Sequence, residues 1–378
     1  MQRLYCSQWN LALILLLSLS TYGEGQETTR DWHLGSPIWS GDVVYGESVI
    51  PIQFEGATDI AGRLAFPAKE ILSITLAESG KQLEMGRDAS LSDDGRTLIF
   101  TASDSLQYMK ESEFYLAPES PMSYRHRVDH PEQWMLYSSS GWFHERQIEV
   151  TYRKQGSSWD GWKPSLALEQ LPKTLKRLQE RQPLTVGFSG DSITAGGDAS
   201  GLMHKSPEMP PYPNLATAEL QKHYGGEVVL KNRAVGGWSV ANGVQDLDAL
   251  LAENPDLIVI AYGMNDVGRR NPEWFHDQTK TMVDRIKAHN PDIEIILVAT
   301  MIGNAQWVHT PRDMFDKYRD ELQKLTGPGV VLADVTSIWA ELLKYKHDYD
   351  MIGNGLNHPN DFGHRLYAQA ILGLLVPQ

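Results

Sequence analysis

Two different patterns of hydrophobic and polar positions divide the chain. Between about residues 32 and 155, short runs of β-branched and aromatic residues alternate with clusters of Gly, Asp, Ser and Pro. The runs have the length of strands, and no helical periodicity is sustained among them. Because several short strands pack most simply as two facing sheets, the pattern predicts a β-sandwich over 32–155.

The pattern changes in a segment that we predict to be a linker, residues 156–183. The segment opens with "GSSWDGWKPS", and leucines then recur at helical spacing at positions 168, 171, 175 and 178. That spacing predicts an amphipathic helix that bridges two domains. Pro172 interrupts the spacing, so we expect the helix to begin there.

From residue 184 onward, predicted strands alternate with predicted helices. Nearly continuous apolar runs are typical of strands that are buried on both faces of a parallel sheet. The pattern therefore predicts a doubly wound, flavodoxin-like α/β domain over 184–378, with its functional residues at the carboxyl ends of the strands. The predicted strands are 184–189, 227–232, 256–262, 293–300 and 329–334, and the predicted helices are 213–223, 240–253, 273–289, 312–325 and 361–375.

Residues 1–25 have the pattern of a secretory signal peptide. Arg3 precedes an apolar run, Leu11 to Leu17, which is about as long as a signal core and too short to span a bilayer. An uncleaved anchor is the alternative. Because the only cysteine, Cys6, precedes the run, we expect neither lipid attachment nor a disulfide or cysteine nucleophile in the mature chain. We therefore expect a secreted or periplasmic protein without a membrane span.

Length and charge narrow the classes of function. The chain has 378 residues, more than one average domain, and its formal net charge is −14. A nucleic-acid partner is not expected, since proteins hold nucleic acids through a basic face. The charge fits a soluble protein that acts on neutral or cationic material.

Small and polar residues follow the predicted strands at the edge where a site is expected. Ser192 stands at the abrupt end of the first strand in "GFSGDSITAGG". Gly237 follows the second strand in "NRAVGGWSV", and Asn265 follows the third in "GMND". His358 lies just before the last helix, in "NHPNDFGH". Since parallel strands end at one edge of a sheet, we expect these four residues to converge there.

Acyl transfer requires this set of groups. A serine hydroxyl needs a base, and the imidazole of His358 could accept its proton. The tetrahedral intermediate needs oxyanion donors, which the N–H groups of Ser192 and Gly237 and the side-chain amide of Asn265 could supply. Each residue alone has an ordinary structural interpretation, such as a helix cap or a turn. Their combination in this order favours catalysis.

The blocks "GDSIT", "NRAVGGW", "GMND" and the His-Pro near the end resemble the ordered sequence blocks of the SGNH (GDSL-type) hydrolases. The resemblance covers about 184–378, roughly half the chain. It implies that Ser192 is the nucleophile, His358 the base, and Gly237 and Asn265, with the Ser192 N–H, the oxyanion hole. It implies no metal and no organic cofactor. The G-x-S-x-G elbow of α/β-hydrolases is absent, because residue 194 is Thr.

The chain departs from the Asp-x-x-His ending that is usual in this family. Gly355 stands three residues before His358. A backbone carbonyl, an asparagine side chain or a carboxylate from elsewhere could orient the imidazole, and Asp350 and Asp361 would reach it only if the loop folds back. We expect a Ser-His dyad with a backbone or amide partner, as in the carbohydrate esterases that the chain resembles. Asn354 is the candidate side chain for this contact.

The sequence thus predicts a secreted serine esterase that forms an acyl-enzyme. A β-sandwich ahead of such a domain resembles the layout of secreted carbohydrate esterases, so O-acetyl groups on carbohydrate are the favoured substrate within the class of small esters. Trp238 and Trp307 are candidate substrate contacts, because aromatic faces suit sugar rings, although tryptophan is also a common packing residue. Two alternatives stay open: a lipase or lysophospholipase with the same chemistry, and a carbohydrate-binding protein whose site has decayed.

Overall fold

The computed structural model describes residues 30–156 and 159–377; the predicted signal peptide, with Cys6, lies outside them. Strands occupy the part of the chain up to residue 156, which we call the β-region. Its strands are β1 (Val43–Val49), β2 (Ile52–Gln53), β3 (Ile60–Arg63), β4 (Ala68–Leu76), β5 (Gln82–Leu83), β6 (Ala89–Leu91), β7 (Thr97–Phe100), β8 (Met109–Lys110), β9 (Tyr115–Leu116), β10 (Ser123–Tyr124), β11 (Trp134–Leu136) and β12 (Ile148–Lys154).

The strands of the β-region form two larger sheets and one small sheet. One sheet is antiparallel in the order β1-β12-β4-β5, and the other has the order β6-β7-β3-β2-β8, with only β2 and β8 parallel. Along β12, Ile148, Val150 and Tyr152 are buried and alternate with half-buried residues, as expected for a strand with one face in a core. These largely antiparallel sheets confirm the β-sandwich. The small sheet has the order β10-β11-β9.

The second part of the chain alternates strands and helices as predicted. Its strands are β13 (Leu184–Gly190), β14 (Val228–Asn232), β15 (Leu257–Ala261), β16 (Glu294–Ala299) and β17 (Val330–Asp334). Its helices are α1 (Pro172–Gln179), α2 (Ser192–Ala195), α3 (Tyr212–Tyr224), α4 (Val240–Leu251), α5 (Pro272–His289), α6 (Phe315–Gln323), α7 (Val335–Leu342) and α8 (Asp361–Leu375). The bridging helix α1 begins at Pro172, as the interrupted leucine pattern predicts.

The order of the parallel sheet determines where the site lies. All neighbouring strands in β14-β13-β15-β16-β17 are parallel, which is the flavodoxin-like order. After β13, the chain forms β14 on one side of β13 in the sheet, and it then crosses over to form β15 on the other side of β13. A crevice opens at the carboxyl ends of the strands where this order reverses, and α2 follows β13 at that point.

Buried polar contacts join the β-region to the α/β domain within the compact unit that begins at His33. Lys346 Nζ lies 2.6 Å from Glu47 Oε1, and both side chains are fully buried. Asp350 Oδ1 accepts a hydrogen bond of 2.8 Å from the Ile50 N–H. Because breaking a buried ion pair leaves an unpaired charge, at a cost of about 3–5 kcal/mol, these contacts fix one part against the other.

Further contacts from the β-region reach the loops at the carboxyl edge of the sheet. Lys205, in the loop after α2, pairs with Glu78 at 2.8 Å and with Glu145 at 3.2 Å. In the loop before α8, the Asn354 carbonyl accepts the Ser138 N–H at 3.2 Å. The β-region therefore holds two of the loops that border the crevice. Within the described ranges, no helix combines the length and apolar composition needed to cross a membrane.

Candidate active site

A tight turn from strand to helix places Ser192 at the edge of the sheet. The strand β13 ends at Gly190, and Asp191 caps α2 by accepting the Ile193 N–H at 3.0 Å. The helix is only four residues long, ends at Ala195 and is capped by Gly196. The side chain of Ser192, the first residue of α2, is half-buried and lies at the crevice.

Three side chains form one line of hydrogen bonds in the crevice. Ser192 Oγ lies 2.8 Å from His358 Nε2. The other ring nitrogen of His358, Nδ1, lies 2.6 Å from Asp198 Oδ2. The Asp198 side chain is 1% exposed, and the His358 ring is 16% exposed. A hydroxyl, an imidazole and a carboxylate that are hydrogen-bonded in this order have the geometry of a nucleophile, a base and a group that orients the base.

The prediction that a backbone or amide group orients His358 is wrong, because the structure places the carboxylate of Asp198 beside His358 Nδ1. The side chain of Asn354 faces the backbone instead. Its Oδ1 accepts the N–H groups of Leu356 and Asn357, each at 2.9 Å, and that of His358 at 3.2 Å. Asn354 therefore shapes the loop that carries the histidine and does not contact the ring. The open alternative, a carboxylate from elsewhere in the chain, agrees with the geometry.

Packing explains why residue 355 is not the usual aspartate. The φ of Gly355 is +86°, in the left-handed region that favours glycine. A Cβ atom there would lie 2.5 Å from Phe143 Cζ and 2.6 Å from the Leu136 carbonyl oxygen, both in the β-region. The docked β-region therefore leaves no room for a side chain at this position.

The loop after α2 supplies the carboxylate. Asp198 follows Ser192 by six residues, in "AGGDAS", and its φ of +61° is one that aspartate tolerates better than most residues. A Cβ atom at Gly353 would lie 2.7 Å from Asp198 Cβ, so the loop before α8 packs closely against this side chain. The sequence signal for Asp198 was weak, because a Gly-Gly-Asp segment after a short helix is also an ordinary turn.

The other buried acids near the crevice have different partners. Burial raises the pKa of Asp191 to about 7, and the Ile193 N–H and the nearby His358 partly oppose that rise. Burial also raises the pKa of Asp266 to about 6, against the hydrogen bond from the Val240 N–H. Asp361 accepts the Ser200 N–H at 2.8 Å. Of these carboxyl groups, only that of Asp198 is hydrogen-bonded to the imidazole.

Gly197 allows the His358 ring to approach the nucleophile turn. A Cβ atom at Gly197 would lie 2.7 Å from His358 Nδ1 and 3.0 Å from the Ser192 carbonyl oxygen. Such distances are well inside van der Waals contact, so any side chain at this position must displace the ring.

We expect Gly197→Ala to lower kcat by about 10²-fold or more, because displacing the ring by about 1 Å spoils the alignment of base and nucleophile. The measurement is the steady-state hydrolysis of p-nitrophenyl acetate. Gly327→Ala is the matched control, since a Cβ atom there meets nothing within 4 Å. Equal activity of the two variants would contradict the role given to this close approach.

The predicted oxyanion donors lie at the same edge of the sheet. A Cβ atom at Gly236 would be 3.8 Å from Ser192 Cβ, so the loop after β14 passes beside the serine. Gly237 is the next residue, and both glycines are exposed. The Asn265 Nδ2 donates to the Trp238 carbonyl at 2.9 Å. A carboxamide nitrogen carries a second hydrogen, which can serve a ligand. The donor role of these groups stays a prediction.

The two candidate tryptophans have different environments. Trp238 is half-buried beside Gly237, and its carbonyl orients Asn265, so a substrate contact by its ring stays a prediction. Trp307 is only 9% exposed, and its indole N–H donates to the Arg125 carbonyl at 2.8 Å. Its ring belongs to a core cluster with Met135 and Leu356. The structure therefore assigns Trp307 to packing rather than to direct substrate contact.

The chain is similar to known hydrolases. The model of the GDSL-like Lipase/Acylhydrolase family matches residues 188–366. No curated protein matches the chain in sequence.

Among solved structures, a two-domain esterase active on acetylated mannans, co-crystallised with mannopentaose, is 22% identical with a TM-score of 0.45. The match covers 57% of this chain and 55% of that one, so it spans about half the length of the relative. An acetylxylan esterase from Geobacillus stearothermophilus, a catalytic mutant, is 21% identical over 52% of this chain and 95% of that one, with a TM-score of 0.43. A carbohydrate esterase family 3 protein from Talaromyces cellulolyticus is 19% identical over 50% and 94%, with a TM-score of 0.40.

The family match includes the strand β13, the nucleophile turn, the loops after β14 and β15, and the loop before α8. It thus covers each part of the crevice that the α/β domain supplies. Over residues 188–366, the chain carries a hydrolase domain of the GDSL-like Lipase/Acylhydrolase family, which is a domain of carboxylic ester hydrolases.

Proposed function

We propose that this protein is a serine esterase that removes short acyl groups, most of all O-acetyl groups, from carbohydrate through an acyl-enzyme. The observation that carries the proposal is the line of hydrogen bonds from Ser192 through His358 to Asp198. The signal pattern of residues 1–25 supports the further proposal that the protein is exported.

The geometry supports a two-step mechanism. Ser192 Oγ attacks the ester carbonyl carbon while His358 Nε2 takes its proton. The bond from the carbonyl carbon to the alcohol oxygen then breaks, and His358 returns the proton to that oxygen, leaving the acyl group on Ser192. A water molecule, deprotonated by the same imidazole, attacks the acyl-enzyme, and Ser192 regains its proton as the acid leaves.

Asp198 has a supporting part in each proton transfer. Its carboxylate accepts the hydrogen of His358 Nδ1, which directs the lone pair of Nε2 towards Ser192 Oγ. The same negative charge stabilises the imidazolium that forms when the proton moves. Because Asp198 is almost fully buried, solvent screens this interaction little.

The oxyanion that forms in each step needs donors fixed in advance. The backbone N–H groups of Ser192 and Gly237 and the side-chain amide of Asn265 are the groups we propose. The Trp238 carbonyl already orients the Asn265 amide, so little reorganisation is needed during the reaction. A single donor of this kind contributes on the order of 10²–10³ in kcat.

The surroundings of the crevice favour a small acyl group over a long one. A lipase or lysophospholipase would need a long apolar groove beside the nucleophile. The loop after α2 is largely polar and rich in proline; of its apolar residues, Ala199 and Met209 are buried, and Leu202 and Met203 are half-buried, which is too little apolar surface for a long acyl chain. The other alternative, a decayed binding protein, was motivated by a missing acid, and Asp198 supplies that acid.

A serine-directed fluorophosphonate and a series of p-nitrophenyl esters test the proposal. We expect one covalent label, on Ser192, and faster hydrolysis of the acetyl and butyryl esters than of the palmitoyl ester. Denatured protein is the control for nonspecific labelling. An unlabelled native protein would argue for the decayed site, and a clear preference for the palmitoyl ester would argue for a lipase.

A further inference from the structure

Four aromatic side chains lie in a row beside the crevice, and we call them the aromatic rim: Tyr137, Tyr124, Trp307 and His309. Their ring centroids are separated by 5.4 Å from Tyr137 to Tyr124, by 5.8 Å from Tyr124 to Trp307 and by 5.0 Å from Trp307 to His309. Neighbouring ring planes are inclined at 59° to 76°, close to the edge-to-face arrangement that aromatic pairs prefer. The first two rings belong to the β-region and the last two to the loop after β16.

The rim connects loops on two sides of the crevice. At one end, the residue after Tyr137 is Ser138, whose N–H donates to the Asn354 carbonyl in the loop of His358. At the other end, a Cβ atom at Gly268 would lie 3.0 Å from the His309 carbonyl, so His309 touches the loop that follows Asn265. The row of rings therefore runs from the loop with the base to the loop with a proposed oxyanion donor.

The rim contains a buried ring, Trp307, and a ring that is exposed to solvent, Tyr124. The buried Trp307 is held by its hydrogen bond to the Arg125 carbonyl and by its core cluster. Tyr124, which packs against its edge, is 46% exposed, and its neighbours Met122 and Val308 are 40% and 45% exposed. A rigid aromatic side chain that is open to solvent can bind a ligand at little cost in conformational entropy.

We propose that the solvent-exposed part of the aromatic rim, above all Tyr124, is a subsite through which the β-region binds sugar rings of a neutral acylated glycan, beside the reacting ester, while the buried Trp307 supports it from below. This inference rests on the proposed function, since it names the chain to which the acyl group is attached. A sugar ring presents an apolar face of C–H groups and a polar edge of hydroxyl groups. The rim offers matching partners: flat tyrosine faces, and the Tyr137 hydroxyl with Ser139 Oγ at 3.0 Å.

The net charge of −14 disfavours binding of the protein as a whole to an anionic lipid surface. Arg125 and His126 are the charged neighbours of His309 in the rim, so the choice of a neutral glycan rests on the proposed function and on the aromatic faces rather than on local charge. An acyl chain is the other apolar ligand that an exposed aromatic surface could hold. The rim differs from an acyl site because it also carries polar groups, among them the Tyr137 hydroxyl and the imidazole of His309.

Tyr124→Ala tests the subsite, with acetylated xylan and acetylated glucomannan as polymer probes and p-nitrophenyl acetate as the small ester. We expect the ratio of kcat/KM for the preferred polymer to kcat/KM for the small ester to fall about tenfold. Loss of one stacked ring contact of about 1.4 kcal/mol corresponds to that factor. Phe54→Ala, which removes an aromatic ring that is 41% exposed elsewhere in the β-region, is the matched control and should keep the wild-type ratio.

Tyr124→Leu separates sugar stacking from plain apolar contact, because leucine keeps apolar bulk and has no flat face. We expect its ratio to fall as far as that of the alanine variant; a wild-type ratio would overturn the stacking. An unchanged ratio in Tyr124→Ala, or a wild type that hydrolyses the small ester and neither polymer, would overturn the inference and leave the proposed function standing. A wild type that hydrolyses no ester would remove the proposed function, and the inference with it.

Discussion

Replacing Ser192 by alanine is expected to lower kcat for p-nitrophenyl acetate by about 10⁴–10⁶-fold, the range found when a serine nucleophile is removed. The hydroxyl is the only group of the hydrogen-bonded line that can form the acyl-enzyme, so no neighbouring residue replaces it. The variant removes one oxygen atom from a half-buried position and is expected to keep its thermal unfolding midpoint. Steady-state kinetics and a thermal melt are the two measurements.

Ser90→Ala is the control, because that serine is exposed on β6, away from the α/β sheet. It should retain wild-type activity. If Ser192→Ala kept more than about a tenth of the wild-type kcat, the nucleophile would have to be another group, and the mechanism proposed above would be wrong.

Asp198→Asn is expected to lower kcat by about 10⁴-fold with little change in KM, by comparison with the same exchange in serine proteases. An amide in place of the carboxylate can donate a hydrogen to His358 Nδ1. The ring would then carry its proton on Nε2 and could not accept the proton of Ser192. The imidazolium would also lose the negative charge that stabilises it.

Asp191→Asn is a demanding control for this prediction. Asp191 is equally buried and directly precedes the nucleophile, but its side chain caps α2 and is not bonded to the imidazole. Asparagine also caps helices, so we expect a loss of tenfold at most. Similar losses in both variants would mean that the buried carboxyl groups near His358 act together, and that the specific contact between Asp198 and His358 is not what matters.

The α/β domain could be predicted from the sequence because its strands are buried on both faces. Such strands are nearly continuous apolar runs, and each of the five lies where its run predicts it. The helix α7 was not predicted, since β17 passes into it without a loop. Asp334 ends the strand and caps the helix at once, by accepting the Ser337 N–H at 2.9 Å, so no turn residues mark the boundary.

Parts of the β-region were harder to predict. The strands β5, β8 and β10 are two residues long, too short to show an alternation of buried and exposed positions. Each is defined by its partner strand, as Gln82–Leu83 is by pairing with β4. Pairing between distant segments is a tertiary property that local patterns do not contain.

The site was predictable where a residue follows a strand, and not where it depends on a loop's path. Ser192 and Asn265 follow β13 and β15, so the direction of the strands places them at one edge. Asp198 reaches His358 only because the chain turns back after α2 in a left-handed conformation. Local patterns do not specify such a reversal, and the family's usual ending directed attention to the C-terminal loop.

The packing at Gly355 has a consequence for the engineering of this chain. The space that the side chain of the family's usual aspartate would need is occupied here by atoms of Phe143 and Leu136. An acidic side chain at position 355 is therefore incompatible with the present position of the β-region. Introducing the common Asp-x-x-His ending by Gly355→Asp would therefore push the β-region away from the α/β domain instead of supplying a second acid.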